Sequence, residues 1–173
     1  MKAILRRIFF AFTLLLTSSA WGASASDTLS KYDHFANLGV SFSRGGLALS
    51  ADYEYPMHQT FGLGGFFRMN QKSEDPAVTG ATMLGAFIRP HFHRRGWDLY
   101  VAPGFGLMMV DAPSTGEDET ALGPSMAVGL LYQLTDSIAV GSEWFMATPW
   151  FASSTLRGNQ LVNDINARVR FAF

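Results

Sequence analysis

The sequence alternates large apolar side chains with small or charged ones, and this two-residue period is that of a β-strand. None of the charged residues in the alternating segments falls on the large apolar set, and nine fall on the other set. A chain of this kind forms antiparallel sheet with one apolar face and one polar face. Eight segments show the alternation, at 36–43, 47–55, 60–69, 81–92, 97–110, 122–134, 138–146 and 161–173.

The distribution of charge indicates which face is inside. Lys or Arg facing lipid near the bilayer centre costs about 2–4 kcal/mol, so a membrane barrel keeps such residues within. A barrel of eight strands has room inside only for its own side chains, which suits the mixture of small and charged residues on the polar set. We therefore predict an all-β, transmembrane, antiparallel up-and-down barrel of about eight strands. A soluble lipocalin-like barrel, the rival architecture, would carry its apolar set inward around a ligand.

The connections between the segments differ in length in a regular way. Three are short, at 56–59, 93–96 and 135–137. The connections after segments three, five and seven are longer, at 70–80, 111–121 and 147–160. Outer-membrane barrels have short periplasmic turns and long external loops, so we expect both termini and the short turns on the periplasmic side. The connection at 44–46 is short although it is external by this count.

Pro103 interrupts the pattern inside the fifth segment. Proline cannot donate a ladder hydrogen bond, so we expect a bulge or local irregularity there.

The N-terminus has the order of a secretory signal. Basic residues come first, an apolar run over 8–16 follows, and Ala23-Ser24-Ala25 supplies small residues for cleavage. The apolar run is too short to span a bilayer as a helix, which needs about 20 residues. We predict a signal peptide at 1–25, a short periplasmic lead-in at 26–35 and the barrel at 36–173.

Composition excludes several classes of protein. Beyond residue 25 there are 10 basic and 14 acidic residues, a net charge of −4, which gives no reason to expect a nucleic-acid partner. The chain has no cysteine, which excludes a disulfide scaffold and a thiolate metal site.

The inward charges form the main candidate site. Pairing across 93–96 would bring His91 opposite Asp98, and five acids face four arginines. Unpaired charges in a sealed lumen are costly, so these groups should pair. They would act as a structural plug or as a gate whose pairs exchange to admit ions. The predicted lumen network is Asp52, Glu54, Arg68, Arg89, His91, Asp98, Glu143, Asp164, Arg168 and Arg170.

Aromatic residues gather near the predicted periplasmic rim, where an interfacial girdle is expected. They are Tyr53, Tyr55, Phe61, Phe92, Trp97, Tyr132, Phe171 and Phe173.

The last segment ends in an alternating apolar set: Ile165, Ala167, Val169, Phe171 and Phe173. This ending, with the eight alternating segments, resembles the small OmpA/OmpX-like eight-stranded bacterial outer-membrane β-barrel family. The resemblance covers about residues 36–173. It implies a Gram-negative outer-membrane location, contact with outer-membrane lipid and lipopolysaccharide, and recognition of the last strand by the outer-membrane assembly machinery.

That family includes structural anchors, adhesins, tiny pores and a few lipid-modifying enzymes. We expect a structural or surface-interaction role with a plugged lumen, and a narrow porin-like channel as the alternative. A lipid A-modifying enzyme is a weaker alternative, because a serine nucleophile needs a nearby base and no His-x-Ser pair occurs. We expect no cofactor, and any external ligand of the loops is unspecified.

The histidines of the sequence do not predict a metal site. His34, His58, His91 and His93 all fall near the predicted periplasmic rim. His91 and His93 are an i, i+2 pair, but two ligands are fewer than the four that a closed site requires. We interpret them as rim residues.

Overall fold

A computed structural model describes residues 32–43, 46–71, 80–111, 118–151 and 162–173. The predicted signal peptide and most of the predicted lead-in lie outside the described residues. Among the described residues, no helix is long and apolar enough to cross a bilayer.

Eight strands form one closed barrel in which each strand runs antiparallel to both neighbours. β1 pairs with β2 and also with β8, so the sheet has no free edge. This confirms the predicted fold class. The strands are β1 (Phe35–Ser43), β2 (Gly46–His58), β3 (Phe61–Asn70), β4 (Ala81–Arg94), β5 (Trp97–Asp111), β6 (Asp118–Thr135), β7 (Ile138–Ala147) and β8 (Val162–Ala172).

The wall of the barrel separates the two sets of side chains that alternate in the sequence. In β1, Asn37 is fully buried while its neighbour Leu38 is 53% exposed. Large apolar residues lie on the outside all around the barrel, and Ile165 reaches 69% exposure. The charged side chains described in the middle of the strands all point inward. Such an exterior would aggregate in water and suits a lipid environment.

The two ends of the barrel differ in their connections. One end, which we name the turn end, carries Phe35, Phe173 and the connections at 59–60, 95–96 and 136–137. The opposite end, the loop end, carries the connections at 44–45, 71–80, 112–117 and 148–161.

The turns are tighter than predicted. β4 continues to Arg94, so only Arg95 and Gly96 form the turn, both with positive φ (50° and 81°). Two-residue hairpins favour this left-handed geometry because it matches the twist of the flanking strands. The longer strand shifts the pairing from our prediction: Asp98 lies opposite His93, and His91 lies opposite Tyr100. β6 likewise begins at Asp118, inside the predicted loop 111–121.

The prolines leave a local gap in the β4–β5 ladder. The pairing stops after Phe87↔Gly104 and resumes at His91↔Tyr100 with the register unchanged. Pro90 on β4 and Pro103 on β5 both fall within this gap, where neither can donate a hydrogen bond. The irregularity is therefore an interruption and not a bulge, and Pro103 still pairs with Met126 on its other side.

The seam between the first and last strands extends to the C-terminal residue. The backbone amides of His34 and Phe173 each donate to the other's carbonyl at 3.1 Å. The ring of His34 also packs on Tyr53, Tyr55 and Phe173, with ring centroids 5.7–5.9 Å apart. The end of the predicted lead-in thus continues the β1–β8 pairing and fixes Phe173.

The exterior of the barrel predicts a position-dependent cost for added charge. Ile88, at the middle of β4, is 45% exposed, and Met57, near the turn end, is 60% exposed. Ile88→Arg should lower the free energy of unfolding in lipid vesicles by about 2–4 kcal/mol, and Met57→Arg by only about 0–1 kcal/mol. Equal effects of the two substitutions in denaturant titrations would contradict a lipid-facing belt.

Candidate functional site

The ten residues predicted to face the lumen all lie inside the barrel, and none is more than 8% exposed. They come from six strands, β2, β3, β4, β5, β7 and β8. Their side chains form one connected set of ion pairs and hydrogen bonds, which we name the lumen network.

Glu143 is the acceptor at the centre of this network. Arg168 Nη1 donates to Glu143 Oε1 at 2.8 Å, and Arg68 also donates to this oxygen. The hydroxyl of Tyr100 donates to Oε2 at 2.8 Å. Arg68 reaches on to Asp164 at 3.2 Å. Side chains from four strands, β3, β5, β7 and β8, are thus joined through one carboxylate and its partners.

Asp52 links the centre of the network to the turn end. It pairs with Arg168, and Arg89 Nη1 donates to it at 3.0 Å. The same nitrogen of Arg89 donates to Glu54 Oε2 at 2.6 Å. The Arg89 guanidinium also lies over the ring of Phe87, 4.1 Å from its centroid. This cation is enclosed by two carboxylates and an aromatic face.

The network continues to the turn end through His91, His93 and Asp98. His91 Nε2 lies 2.6 Å from Glu54 Oε1, and His91 Nδ1 lies 2.9 Å from Asp98 Oδ2. Arg170 pairs with Asp98, and His93 Nδ1 lies 3.5 Å from Asp98 Oδ1. The predicted contact between His91 and Asp98 therefore forms diagonally, although the two residues are not directly opposite.

Neutral residues that sequence reasoning left out complete the network. Asn37 donates to Asp52 at 2.8 Å and accepts from Arg170 at 2.9 Å. Asn166 and Asn70 donate to Asp164 at 2.9 and 3.2 Å. The alternation puts three of these residues on the inward set, namely Asn37, Tyr100 and Asn166. Their side chains can form hydrogen bonds, and this could have predicted that they join the network. Asn70 was missed because it was predicted to lie in a loop.

The lumen changes character toward the loop end. Most of the buried side chains near that end are apolar: Ala81, Met83, Met108, Val110, Ala121, Ala147 and Val162. The buried Ser41 and the half-buried Asn70 are polar residues in the same row as Ala81. The rings of Phe66 and Phe145 meet edge to face at 5.7 Å, and the Arg68 guanidinium lies 3.6 Å from the centroid of Phe145. An ion crossing the lumen would meet an ionic layer and then a mostly apolar layer.

Glycine makes room for two large members of the network. A Cβ atom at Gly129 would overlap the phenol of Tyr100, and one at Gly62 would overlap the carboxylate of Glu54. Small residues on the inner face thus alternate with large ones across the lumen, which fills a narrow barrel without voids.

The remaining predicted residues lie on the outer face or at the turn end. Trp97 and Tyr132, for example, pair across β5 and β6 with ring centroids 4.9 Å apart. The eight predicted interfacial aromatics are at least partly exposed, and their contact with the interface stays a prediction. The predicted assembly residues Ile165, Ala167, Val169 and Phe171 share the outer face of β8, with Phe173 directly after the strand.

Similar solved structures carry the same architecture. Neisserial surface protein A has a TM-score of 0.61 and 14% identity, covering 81% of this chain and 94% of that one. The chain has the fold of the small eight-stranded outer-membrane barrels.

Two further structures agree with this fold. The N-terminal β-barrel domain of Pseudomonas aeruginosa OprF has a TM-score of 0.56 and 11% identity, covering 82% of this chain and 98% of that one. The Yersinia pestis outer membrane protein Ail, in a phospholipid bilayer nanodisc, has a TM-score of 0.52 and 12% identity, with coverages of 82% and 99%. No sequence-family model and no curated protein sequence matches the chain.

The network predicts a large stability difference between adjacent residues of β8. Arg168 is buried between Asp52 and Glu143, whereas Ala167 faces outward. Arg168→Leu should cost about 3–5 kcal/mol of unfolding free energy, because two buried carboxylates lose a shared partner. Ala167→Leu should be near neutral in the same vesicles. A small loss for Arg168→Leu would show that these ion pairs do not stabilise the barrel.

Tyr100 provides a milder perturbation at the same site. Tyr100→Phe keeps the ring and removes only the hydrogen bond to Glu143. We expect a loss of about 1.5–3 kcal/mol, the usual contribution of a hydrogen bond to a charged group. Tyr132→Phe, on the outer face, is the matched control and should change the unfolding midpoint little. Equal midpoints for the two variants would argue against the contact.

Proposed function

We propose that this protein is an integral outer-membrane protein of a Gram-negative bacterium with a structural or surface-interaction role. The observation that carries the proposal is the inverted distribution of side chains. Ionic groups such as Arg89 and Arg168 are 2% exposed, while leucines such as Leu84 are 59% exposed. A closed barrel with an apolar exterior satisfies every backbone group without water, as a bilayer requires. Its partners on the outside are then membrane lipid and lipopolysaccharide.

The side chains that fill the lumen support a plugged barrel and not a channel. Opening a path would require breaking ion pairs that are cut off from bulk water, and each uncompensated buried charge costs several kcal/mol. The apolar layer near the loop end adds a second barrier, because Met83, Met108 and Val110 are fully buried and offer ions no ligands. Function in such a protein belongs to its outer surface and its loops.

The loop end offers apolar surface for this role. Trp150 and Phe151 are 58% and 64% exposed, and their backbones bond to Leu122 on β6. The backbone of this segment is held against β6, and both exposed rings would meet the outer leaflet. The proposed export by a cleaved signal peptide and the proposed recognition of β8 by the assembly machinery complete the route to this membrane.

Measurements of ion conductance distinguish the plugged barrel from the channel. The purified, refolded chain in planar bilayers should give no steady openings, because both layers of the lumen block ions. Glu143→Gln, which loosens the central pairs, should produce more current noise than the parent. Steady openings of the parent chain whose size changes in Glu143→Gln would instead establish the channel function.

Location is tested separately. The chain expressed with its own N-terminus should sediment with outer membranes, resist carbonate extraction and change its gel mobility on heating. A chain recovered in the soluble fraction after osmotic shock would contradict the proposal.

A further inference from the structure

Two histidines and an aspartate converge at the turn end of the lumen. His91 and His93 lie two residues apart on the inward face of β4, and Asp98 on β5 is directly opposite His93. One ligand atom from each of His91, His93 and Asp98 lies within 4.8 Å of the other two. The tight turn at 95–96 produces this arrangement, because it brings the ends of β4 and β5 into register.

Glu54 orients the first histidine. His91 Nε2 lies 2.6 Å from Glu54 Oε1, which leaves Nδ1 directed at Asp98. Histidines that bind metals usually donate their other ring nitrogen to a carboxylate, which fixes the ring and raises the basicity of the ligating nitrogen. Glu54 and His91 have this geometry.

The second histidine lacks comparable partners. His93 Nε2 is buried and has no hydrogen-bond partner among the described atoms. His93 Nδ1, 3.5 Å from Asp98 Oδ1, is beyond hydrogen-bond length but on the side facing the carboxylate. The ring is held in place by stacking on His91, with centroids 5.5 Å apart and planes 5° apart. It is a positioned imidazole whose nitrogens nothing else in the described part uses.

Charge and access both allow a cation here. The lumen network has five carboxylates and four guanidinium groups, and the nearest guanidinium, that of Arg170, pairs with Asp98 through Oδ2. Asp98 Oδ1 lies 3.0 Å from His91 Nδ1, and a cation would take the place of the proton that His91 otherwise shares with Asp98. A small pocket at the turn end, lined by Phe35, His93, Gln133, Ser137 and Arg170, reaches this position through His93.

We propose that His91, His93 and Asp98 bind one divalent transition-metal ion of the Zn²⁺ class, which enters from the turn end. Two imidazole nitrogens and one carboxylate oxygen are a donor set that binds Zn²⁺ in preference to Mg²⁺ or Ca²⁺. Water from the pocket supplies the fourth ligand. The ion would join β4 to β5 at the mouth of the barrel, independently of what the loops bind.

The test uses the refolded full barrel in detergent micelles, without a polyhistidine tag. Equilibrium dialysis against Zn²⁺ followed by elemental analysis should give one ion per chain. His93→Gln should weaken binding at least ~10-fold, and Glu54→Gln, which removes the group that orients His91, should weaken it ~10–100-fold. His58→Gln is the matched control, because His58 is exposed at the end of β2, beside a different turn, and lies 3.3 Å from the hydroxyl of Thr60.

Co²⁺ gives a measurement on the parent chain that does not depend on the folding of any variant. Bound at the proposed site, Co²⁺ should show the intense visible absorption of a four-coordinate ion, and Zn²⁺ should abolish it. The proposal is overturned by three results: no stoichiometric Zn²⁺, a weak six-coordinate Co²⁺ spectrum, or equal loss of binding in His58→Gln and His93→Gln. Heat-modifiable mobility verifies that each variant is folded.

Discussion

The structure depends on the need to pair every ionic group within a sealed cylinder. The charged side chains of the lumen are buried, with none more than 8% exposed, so their stability must come from one another. The lumen network meets this need by sharing: Asp52 pairs with both Arg89 and Arg168, and Glu143 with both Arg68 and Arg168. Removing a shared member such as Arg168 takes one partner from each of two carboxylates.

This sharing also braces the barrel from within. Backbone hydrogen bonds join each strand only to its neighbours, but Arg68 on β3 reaches Glu143 on β7, on the far side of the lumen. Arg170 on β8 reaches Asp98 on β5 in the same way. The wall and the lumen therefore resist different deformations: the ladder opposes separation of adjacent strands, and the ion pairs oppose flattening of the cylinder.

The alternation in the sequence predicted the number of strands and the side chains on each face. It did so because one physical difference, lipid outside and side chains inside, acts on every strand with a period of two residues. Strand ends were less predictable. Asp118 and Glu119 are polar and fall in the predicted loop 111–121, yet they pair in β6 as Asp111↔Asp118 and Val110↔Glu119. Hydrogen bonds of the ladder can extend a hairpin beyond the membrane, where polar side chains give no contrast between the faces.

The partners within the lumen could not be predicted residue by residue. The sequence placed five acids and four arginines inside, but Arg68 and Asp164 are 96 positions apart and meet only because the barrel closes. The tilt of the strands determines which residues of different strands lie at the same level in the lumen. A two-residue error in the length of the 93–96 turn was enough to place Asp98 opposite the wrong residue. Both registers place Asp98 near the two histidines, opposite His91 in the predicted one and opposite His93 in the observed one. The proposed metal site was missed because only the histidines were counted as ligands.

The claim that ionic groups lie inside and apolar groups meet lipid is tested most directly along β6. The chain has no cysteine, so a nitroxide can be attached to single cysteines placed one at a time from Met126 to Tyr132. In lipid vesicles, labels at Met126, Val128 and Leu130 should collide frequently with oxygen dissolved in the bilayer. Labels at Ala127 and Leu131, which are buried, should be shielded. The opposite alternation, or equal accessibility at all positions, would contradict the account.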